Sequence, residues 1–283
     1  MNKIYQATEK EFLLIRNLIE NESGILLGDN KQYLLENRLS PLVSEENCNS
    51  FNDLYLKAMN PTYSDLKRKI VEHIAINETF WFRNEKHFKI LEQEIIGDYI
   101  NRIQEGKQSG INIWSAACST GQEPYSILMT LYKYYEQINR LSRIKDEVRL
   151  LASDYSSKVV NKASLGVYEI NSTRRGLSDT HLSKFFNKDL NSWEIINDLK
   201  ELVEFKEINL KDRLNYFHTF DIIFLRNITI YFSAEFAKEV LSKITSCLKP
   251  GGYLFLGTGE DVHDSKHYYK VIQSEKIQYY QKH

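Results

Sequence analysis

The residues best placed to do chemistry lie at positions 111–127, INIWSAACSTGQEPYSI. An apolar run over 111–116, with Ile111, Ile113 and Trp114 for a core, predicts a short strand. Small residues (Ala116, Ala117, Ser119, Thr120, Gly121) break it, and a helix follows from Pro124. A strand, a tight small-residue turn and a helix N-terminus make a nucleotide-sized pocket. The backbone can approach a ligand there, and free helix N–H groups point into the gap. Gly121 would supply the close approach or a positive φ, and Pro124 suits the first helical turn. The G-x-G-x-x-G of a dinucleotide site and the G-K-[ST] of a phosphate-gripping loop are both absent. One glycine and an acid, Glu123, are poor for pyrophosphate and suit a cationic, adenosine-bearing ligand, which points towards S-adenosylmethionine. An ordinary strand-to-helix turn of an α/β protein fits these residues equally well.

Further polar groups fall where a ligand in such a crevice would meet them. The run VRLLAS, 148–153, predicts a second strand ending at Asp154. An acid at that tip is placed to accept both ribose hydroxyls of an adenosine ligand. Its distance from Gly121 exceeds the ~20 residues of the usual fingerprint, and a long helix plus the charged loop 140–147 accounts for the excess. Asp154 also suits the N-cap of a helix predicted over 156–165, which Gly166 ends. The continuous apolar run FDIIFL, 220–225, predicts a buried parallel strand terminating in Arg226 and Asn227, with Tyr231 and Phe232 just after. Upstream, NETFWFRN at 77–84 sets Phe80, Trp81 and Phe82 among Asn77, Thr79 and Arg83. Aromatics at a junction most often pack; the interleaved polar residues suggest a lid facing a cleft.

The remaining patterns supply the scaffold. Residues 8–75 predict a helical domain: Thr8 with Glu11 has the form of a capping box, Phe12, Ile15 and Ile19 recur at helical spacing, and Gly24 stops the first helix. Three more helices are predicted over 31–42 (ending near Pro41 and Ser44), 50–59 and 64–74. Helices over 85–104, 124–138 and 234–248 alternate with the strands. Residues 253–257 add a strand, and 267–272 with 276–281 close the chain as an antiparallel pair. Residues 168–191 read as polar helix and loop; 192–196 and 203–207 flank Asn197 and Asp198 like a hairpin or small antiparallel insert. The expectation is α/β: a helical N-terminal domain, 1–76, then a Rossmann-like S-adenosylmethionine-dependent methyltransferase domain, 77–283, with a small β insert at about 187–207.

Composition narrows the class further. Hydrophobic residues at 42% and charged ones at 27% are an ordinary globular mix, and 283 residues suffice for two domains. A formal net charge of −1 gives no bulk field towards nucleic acid or an anionic membrane. No apolar run approaches the ~18–20 residues that span a bilayer, and the opening MNKIYQATEKEF lacks a signal-peptide core. Cys48, Cys118 and Cys247 are far apart and read as reduced thiols, so the expectation is a cytoplasmic protein; a monomer is expected separately.

Five segments together resemble the CheR-type protein-glutamate O-methyltransferases that modify chemotaxis receptors: NETFWFR, SAACSTGQEPYSI, ASDYSSKVVNKASLGVY, FDIIFLRNITIYF and LKPGGYLFLGTGE, in that order from Asn77 to Glu260. The helical N-terminal region fits as well. The resemblance implies S-adenosyl-L-methionine as cofactor, S-adenosyl-L-homocysteine as product, no metal, and glutamates of methyl-accepting receptors as substrate. It implies that Asn77, Thr79 and Arg83 line the cofactor cleft, that Glu123 reaches the methionyl end or ribose, and that Asp154 holds the ribose. Asn209 and Leu210 would flank the adenine, and Asn227 with Ile228 close the pocket. Arg83 and Tyr231 would lie nearest the methyl group, as the catalytic pair. Core packing is the alternative for Tyr231, and a salt bridge for Arg83.

A glutamate carboxylate is already ionised at neutral pH, so the transfer asks for no general base. None of the seven histidines is assigned a role, and Cys118 reads as a small buried thiol. Relatives that tether to a receptor's C-terminal tail carry a glycine-bearing extension on the β insert. Here no glycine occurs between Gly176 and Gly251, and 187–193 looks short, so the expectation is direct recognition of receptor helices without a tail tether. Arg38, Lys67, Arg68 and Lys69 offer a modestly basic face for that, or a solvated helix face. A methyltransferase with another substrate and a non-catalytic S-adenosylmethionine-binding module are the competing readings.

Overall fold

The computed structural model describes residues 4–216, 218–274 and 276–283. The chain forms two compact units: Met1–Ile76 with Asn209–Lys211 and Ile230–Ala237, and the remainder, Asn77–Ile208, Asp212–Thr229 and Lys238–His283. A single cut after residue 76 is therefore too simple, because two short later segments belong to the first unit.

The first unit is helical: α1 (Glu9–Ser23), α2 (Gln32–Glu45), α3 (Phe51–Met59) and α4 (Leu66–Ile74). Thr8 and Glu11 form the capping box on α1, and Gly24 caps its far end at φ 78°. A side chain at Gly24 would collide with the Phe236 ring. Helix α2 runs through Pro41 to Glu45 instead of ending there. The proline forfeits one backbone bond, but Leu39, Leu42 and Val43 around it are fully buried and keep the last turn on the core. The four basic residues expected to offer a docking face all have partners inside this unit. Arg38 donates to the carbonyls of Ile74 and Ala75, Lys67 pairs with Glu22, Arg68 with Asp65 and Lys69 with Glu46.

The second unit is built on a seven-stranded sheet. Its strands are β1 (Ile111–Ala116), β2 (Val148–Asp154), β6 (Val203–Glu207), β7 (Phe220–Leu225), β8 (Leu248–Leu256), β9 (Tyr269–Ser274) and β10 (Ile277–Lys282), ordered β6-β2-β1-β7-β8-β10-β9. The first five are parallel, and β10 and β9 close the edge antiparallel. Every residue of β7 is buried, as a central parallel strand requires. Strand order reverses at β1, which has β2 on one side and β7 on the other. The crevice at their carboxyl ends is where such sheets bind ligands. Helices Gln122–Gln137 and Ser157–Leu165 follow β1 and β2. Residues 86–104 form one helix interrupted by a π turn at Leu91–Ile95.

The small antiparallel sheet differs from expectation. It consists of β3 (Val167–Glu169), β4 (Phe186–Lys188) and β5 (Ser192–Ile195), ordered β3-β5-β4. Val203–Glu207 is not its hairpin partner, since it pairs parallel with β2 from Leu150 to Asp154. Between β5 and β6 the chain makes a helical turn, Asn197–Lys200, which carries it away from a hairpin. Residues 168–191, expected to be helix and loop, thus contribute two strands, and Tyr168 is a buried anchor at 2% exposure. The KPGG run, expected to be a stop before a strand, is the bulged start of β8.

Candidate active site at the switch point

After β1 the backbone turns through Ala117 (φ 66°), Ser119 (φ 50°) and Gly121 (φ 95°) before the helix starts at Gln122. Left-handed conformations at two non-glycine residues are uncommon and mark a built turn. A Cβ at Gly121 would lie 2.8 Å from the Tyr168 hydroxyl and 2.9 Å from the Ala163 side chain. The close approach that glycine permits is therefore to neighbouring protein. Cys118 in this turn is fully buried, and burial pushes its thiol well above the ordinary value, which makes it inert at neutral pH.

Asp154 ends β2. The Ser119 N–H donates to its Oδ2 at 2.9 Å and the Ser156 N–H to its Oδ1 at 3.2 Å. The cap of the following helix is Ser156, whose hydroxyl accepts from the Val159 N–H, so Asp154 is left as a half-buried acid beside the β1 turn. The Ser119 hydroxyl donates to the Asn77 carbonyl at 3.0 Å and so joins the 77–84 segment to the same turn. Asn77 is exposed and Thr79 half-buried.

Glu123, in the first helical turn, is held on both oxygens. The Ser115 hydroxyl donates to Oε1 at 2.8 Å, and Arg226 donates to Oε2 at 2.8 Å. Arg226 follows β7 directly, and its side chain is 1% exposed. It also donates to the Arg83 carbonyl and to Asn84 Oδ1. Burial pulls the guanidinium below its ordinary value, and Glu123 opposes that. Arg83 itself donates to the Glu78 carbonyl and is half-buried. The aromatic side of this segment packs: Trp81 meets Tyr168 and Phe186 edge-on at 4.8 and 5.3 Å. Phe80, Phe82 and Phe88 line a cleft of about 280 Å³ with Lys133, Arg175 and His181.

Asn227 has φ 59° and starts a loop gripped by one carboxylate. Glu260 accepts the N–H groups of Asn227, Ile228, Thr229 and Gly257 at 2.6–2.9 Å, and the Thr229 hydroxyl at 2.7 Å. The ends of β7 and β8 are thereby tied together. Seven of the expected site residues (Asn77, Thr79, Arg83, Glu123, Asp154, Asn227, Ile228) lie on these segments of the second unit. Asn209, Leu210 and Tyr231 belong to the first unit. There Asn209 Nδ2 donates to the Glu22 carbonyl at 2.8 Å, and the Tyr231 carbonyl accepts from the Leu26 N–H at 2.8 Å.

Sequence reading did not single out Ser115, Arg226 and Glu260 for a role. Arg226 was visible as a charge at the end of an all-apolar strand, which is a signal for a buried pair. Glu260 carried no such signal, since all its partners but the nearby Gly257 N–H lie some 30 residues away in sequence, and most are backbone groups. Acids on both sides of a turn with no lysine and no glycine-rich phosphate loop suit a sulfonium and a ribose and do not suit pyrophosphate. Residues 262 to 268 and the other described segments hold no cluster of metal-ligating side chains among the described residues.

A parallel sheet with an antiparallel closing pair, and an acid-flanked turn at its switch point, define a Rossmann-like S-adenosylmethionine-dependent methyltransferase domain following an all-α unit. Residues 77–278 match the CheR methyltransferase SAM-binding domain, and residues 10–71 match the CheR methyltransferase all-alpha domain. The chain belongs to the CheR methyltransferase family. It is 37% identical to chemotaxis protein methyltransferase 1 of Pseudomonas aeruginosa over 94% of this chain and 96% of that one. It is 36% identical to chemotaxis protein methyltransferase Cher2 of Pseudomonas putida over 93% and 94%, and 32% identical to a Borreliella burgdorferi chemotaxis protein methyltransferase over 92% and 90%.

Proposed function

We propose that this methyltransferase esterifies glutamate side chains on the cytoplasmic part of methyl-accepting chemotaxis receptors. The observation that carries the reading is the pair of acids, Glu123 and Asp154, fixed on either side of the β1 turn. The cofactor supplies a methyl group activated by its sulfonium. Asp154 binds the ribose hydroxyls, Glu123 faces the ribose or methionyl end, and Asn77 and Thr79 line the cleft. Asn227 and Ile228, held by Glu260, wall the pocket, and Asn209 with Leu210 flank the adenine. Arg83 steers the incoming carboxylate and Tyr231 positions it by a hydrogen bond. The carboxylate is ionised near neutral pH, so alignment and exclusion of water carry the catalysis.

Calorimetric titration with S-adenosylhomocysteine tests this. Wild-type protein is expected to bind at micromolar or tighter concentrations, and Asp154→Ala to lose most of that affinity. Absence of binding to folded wild-type protein would remove the cofactor reading, and a methyl-transfer assay on receptor fragments then tests the substrate. Recognition is proposed to be direct, without a tail tether. In support, β4 and β5 are joined by only three residues, Asp189, Leu190 and Asn191, none of them glycine. Tight binding of a receptor-tail pentapeptide would sink that part alone. A monomer in the cytoplasm fits the reading, and no helix among the described residues is long and apolar enough to cross a membrane.

A further inference from the structure

The segment at residues 82–84 is held against its local preference. Phe82 and Asn84 both have positive φ, 49° and 59°, and such conformations cost bulky residues most. Something outside the segment must hold it, and three groups do: the Ser126 hydroxyl accepts the Phe82 N–H at 3.0 Å, the Thr258 hydroxyl accepts from Asn84 Nδ2 at 3.0 Å, and Arg226 grips the Arg83 carbonyl and Asn84 Oδ1. The same guanidinium is ion-paired to Glu123. One buried planar cation therefore spans the turn that carries Arg83 and the acid at the start of the helix after β1. A guanidinium can do this because it offers five N–H groups in a rigid fork. Its Nε is buried without a partner among the described residues, and its NH1 and NH2 groups make the bonds to these two segments.

We propose that Arg226 is a positioning residue: it latches the strained 82–84 turn to Glu123, so that the substrate-facing Arg83 and the cofactor-facing acid share one geometry. This rests on the cofactor reading above. When the cofactor settles against Glu123, the latch fixes the turn, and when Glu123 shifts, the turn is released.

Hydrogen exchange on the intact protein tests it, with Arg226→Lys and Asn84→Gly. Lysine keeps the charge and loses the fork; glycine removes the Asn84 acceptor, together with the bond to Thr258, and tolerates φ 59°. Amides of residues 77–88 are expected to exchange roughly ten- to a hundredfold faster in Arg226→Lys without ligand, the effect of losing one or two hydrogen bonds to a charged group. Residues 111–116 and 220–225 are expected to keep wild-type rates. Asn84→Gly should give a smaller acceleration over the same residues and leave affinity for S-adenosylhomocysteine near wild type. Saturating S-adenosylhomocysteine should add protection at 77–88 in wild type and little in Arg226→Lys, whose kcat falls more than its KM for the cofactor rises. Unchanged exchange at 77–88 in Arg226→Lys overturns the latch, as does equal acceleration at 111–116 and 220–225, which would mean plain core support. Wild-type protein that takes up no S-adenosylhomocysteine sinks the cofactor reading instead, and the ligand-free exchange still decides the latch.

Discussion

Glu123 and Asp154 are both acids at strand-to-helix junctions, yet their surroundings make them unequal probes of the site. Glu123 is the counter-charge of a guanidinium that is 1% exposed. Removing one partner of a buried ion pair leaves the other uncompensated and typically costs about 3–5 kcal/mol. Asp154 accepts from the Ser119 and Ser156 N–H groups and is half-buried, next to solvent that can replace it. Losing backbone hydrogen bonds to a partly solvated carboxylate costs about 1.5–3 kcal/mol, less than an uncompensated buried charge. Glu123→Ala is therefore expected to lower the urea midpoint markedly, and Asp154→Ala only modestly, in parallel unfolding curves. Equal losses would mean that the Glu123–Arg226 pair does not hold the site together. Both acids were legible in the sequence as site residues. The difference between them was not, because it depends on Arg226, which lies 103 positions from Glu123.

At the scale of elements, the helix that follows the 77–84 segment brings a titratable group into the core. His87 is 3% exposed, with its ring 5.6 Å from that of Phe255. Burial, and then the charge of Arg226, pull its pKa down to about 3. The folded protein thus keeps His87 neutral, whereas the unfolded chain takes up a proton near pH 6.5. Above pH 6.5 neither state is protonated and the group has no effect. As pH falls from 6.5 towards 3, only the unfolded state gains the proton, and stability drops by about 1.4 kcal/mol per pH unit. Carboxylates held below their ordinary values, such as Glu46 and Glu147, add to the loss only at lower pH. Urea midpoints measured at pH 7.5, 6 and 5 are expected to fall in wild type and to fall less in His87→Leu. Parallel slopes for the two proteins would rule His87 out. The principal strands of the parallel sheet were readable from continuous apolar runs, and β7 matches residue for residue. Strand β6 was misassigned for a physical reason. As the edge of the sheet it has one covered face, so VEFKE alternates like a hairpin strand, and its partner β2 lies some 50 residues earlier.

At the scale of the whole molecule, the first compact unit is assembled from three pieces of chain. Asn209–Lys211 and Ile230–Ala237 follow β6 and β7 in the chain. In that unit Asn209 Nδ2 donates to the Glu22 carbonyl, Lys211 Nζ to the Glu20 carbonyl at 3.1 Å, and the Leu26 N–H to the Tyr231 carbonyl. Phe236 is buried at 7% exposure, with Gly24 against its ring. Two of the residues expected at the site, Asn209 and Tyr231, are therefore hydrogen-bonded to residues 1–76. The hydrophobic cluster around the large sheet, from Trp81 to Tyr279, draws on none of these segments. A protein consisting of residues 77–283 is accordingly expected to keep its sheet and helices by far-ultraviolet circular dichroism. It should nonetheless bind a hydrophobic dye at the newly bared Phe236, because segment 230–237 loses the residues it is grouped with in the intact protein. A shortened protein that binds no more dye than the intact one would show that segments 209–211 and 230–237 keep their structure without residues 1–76.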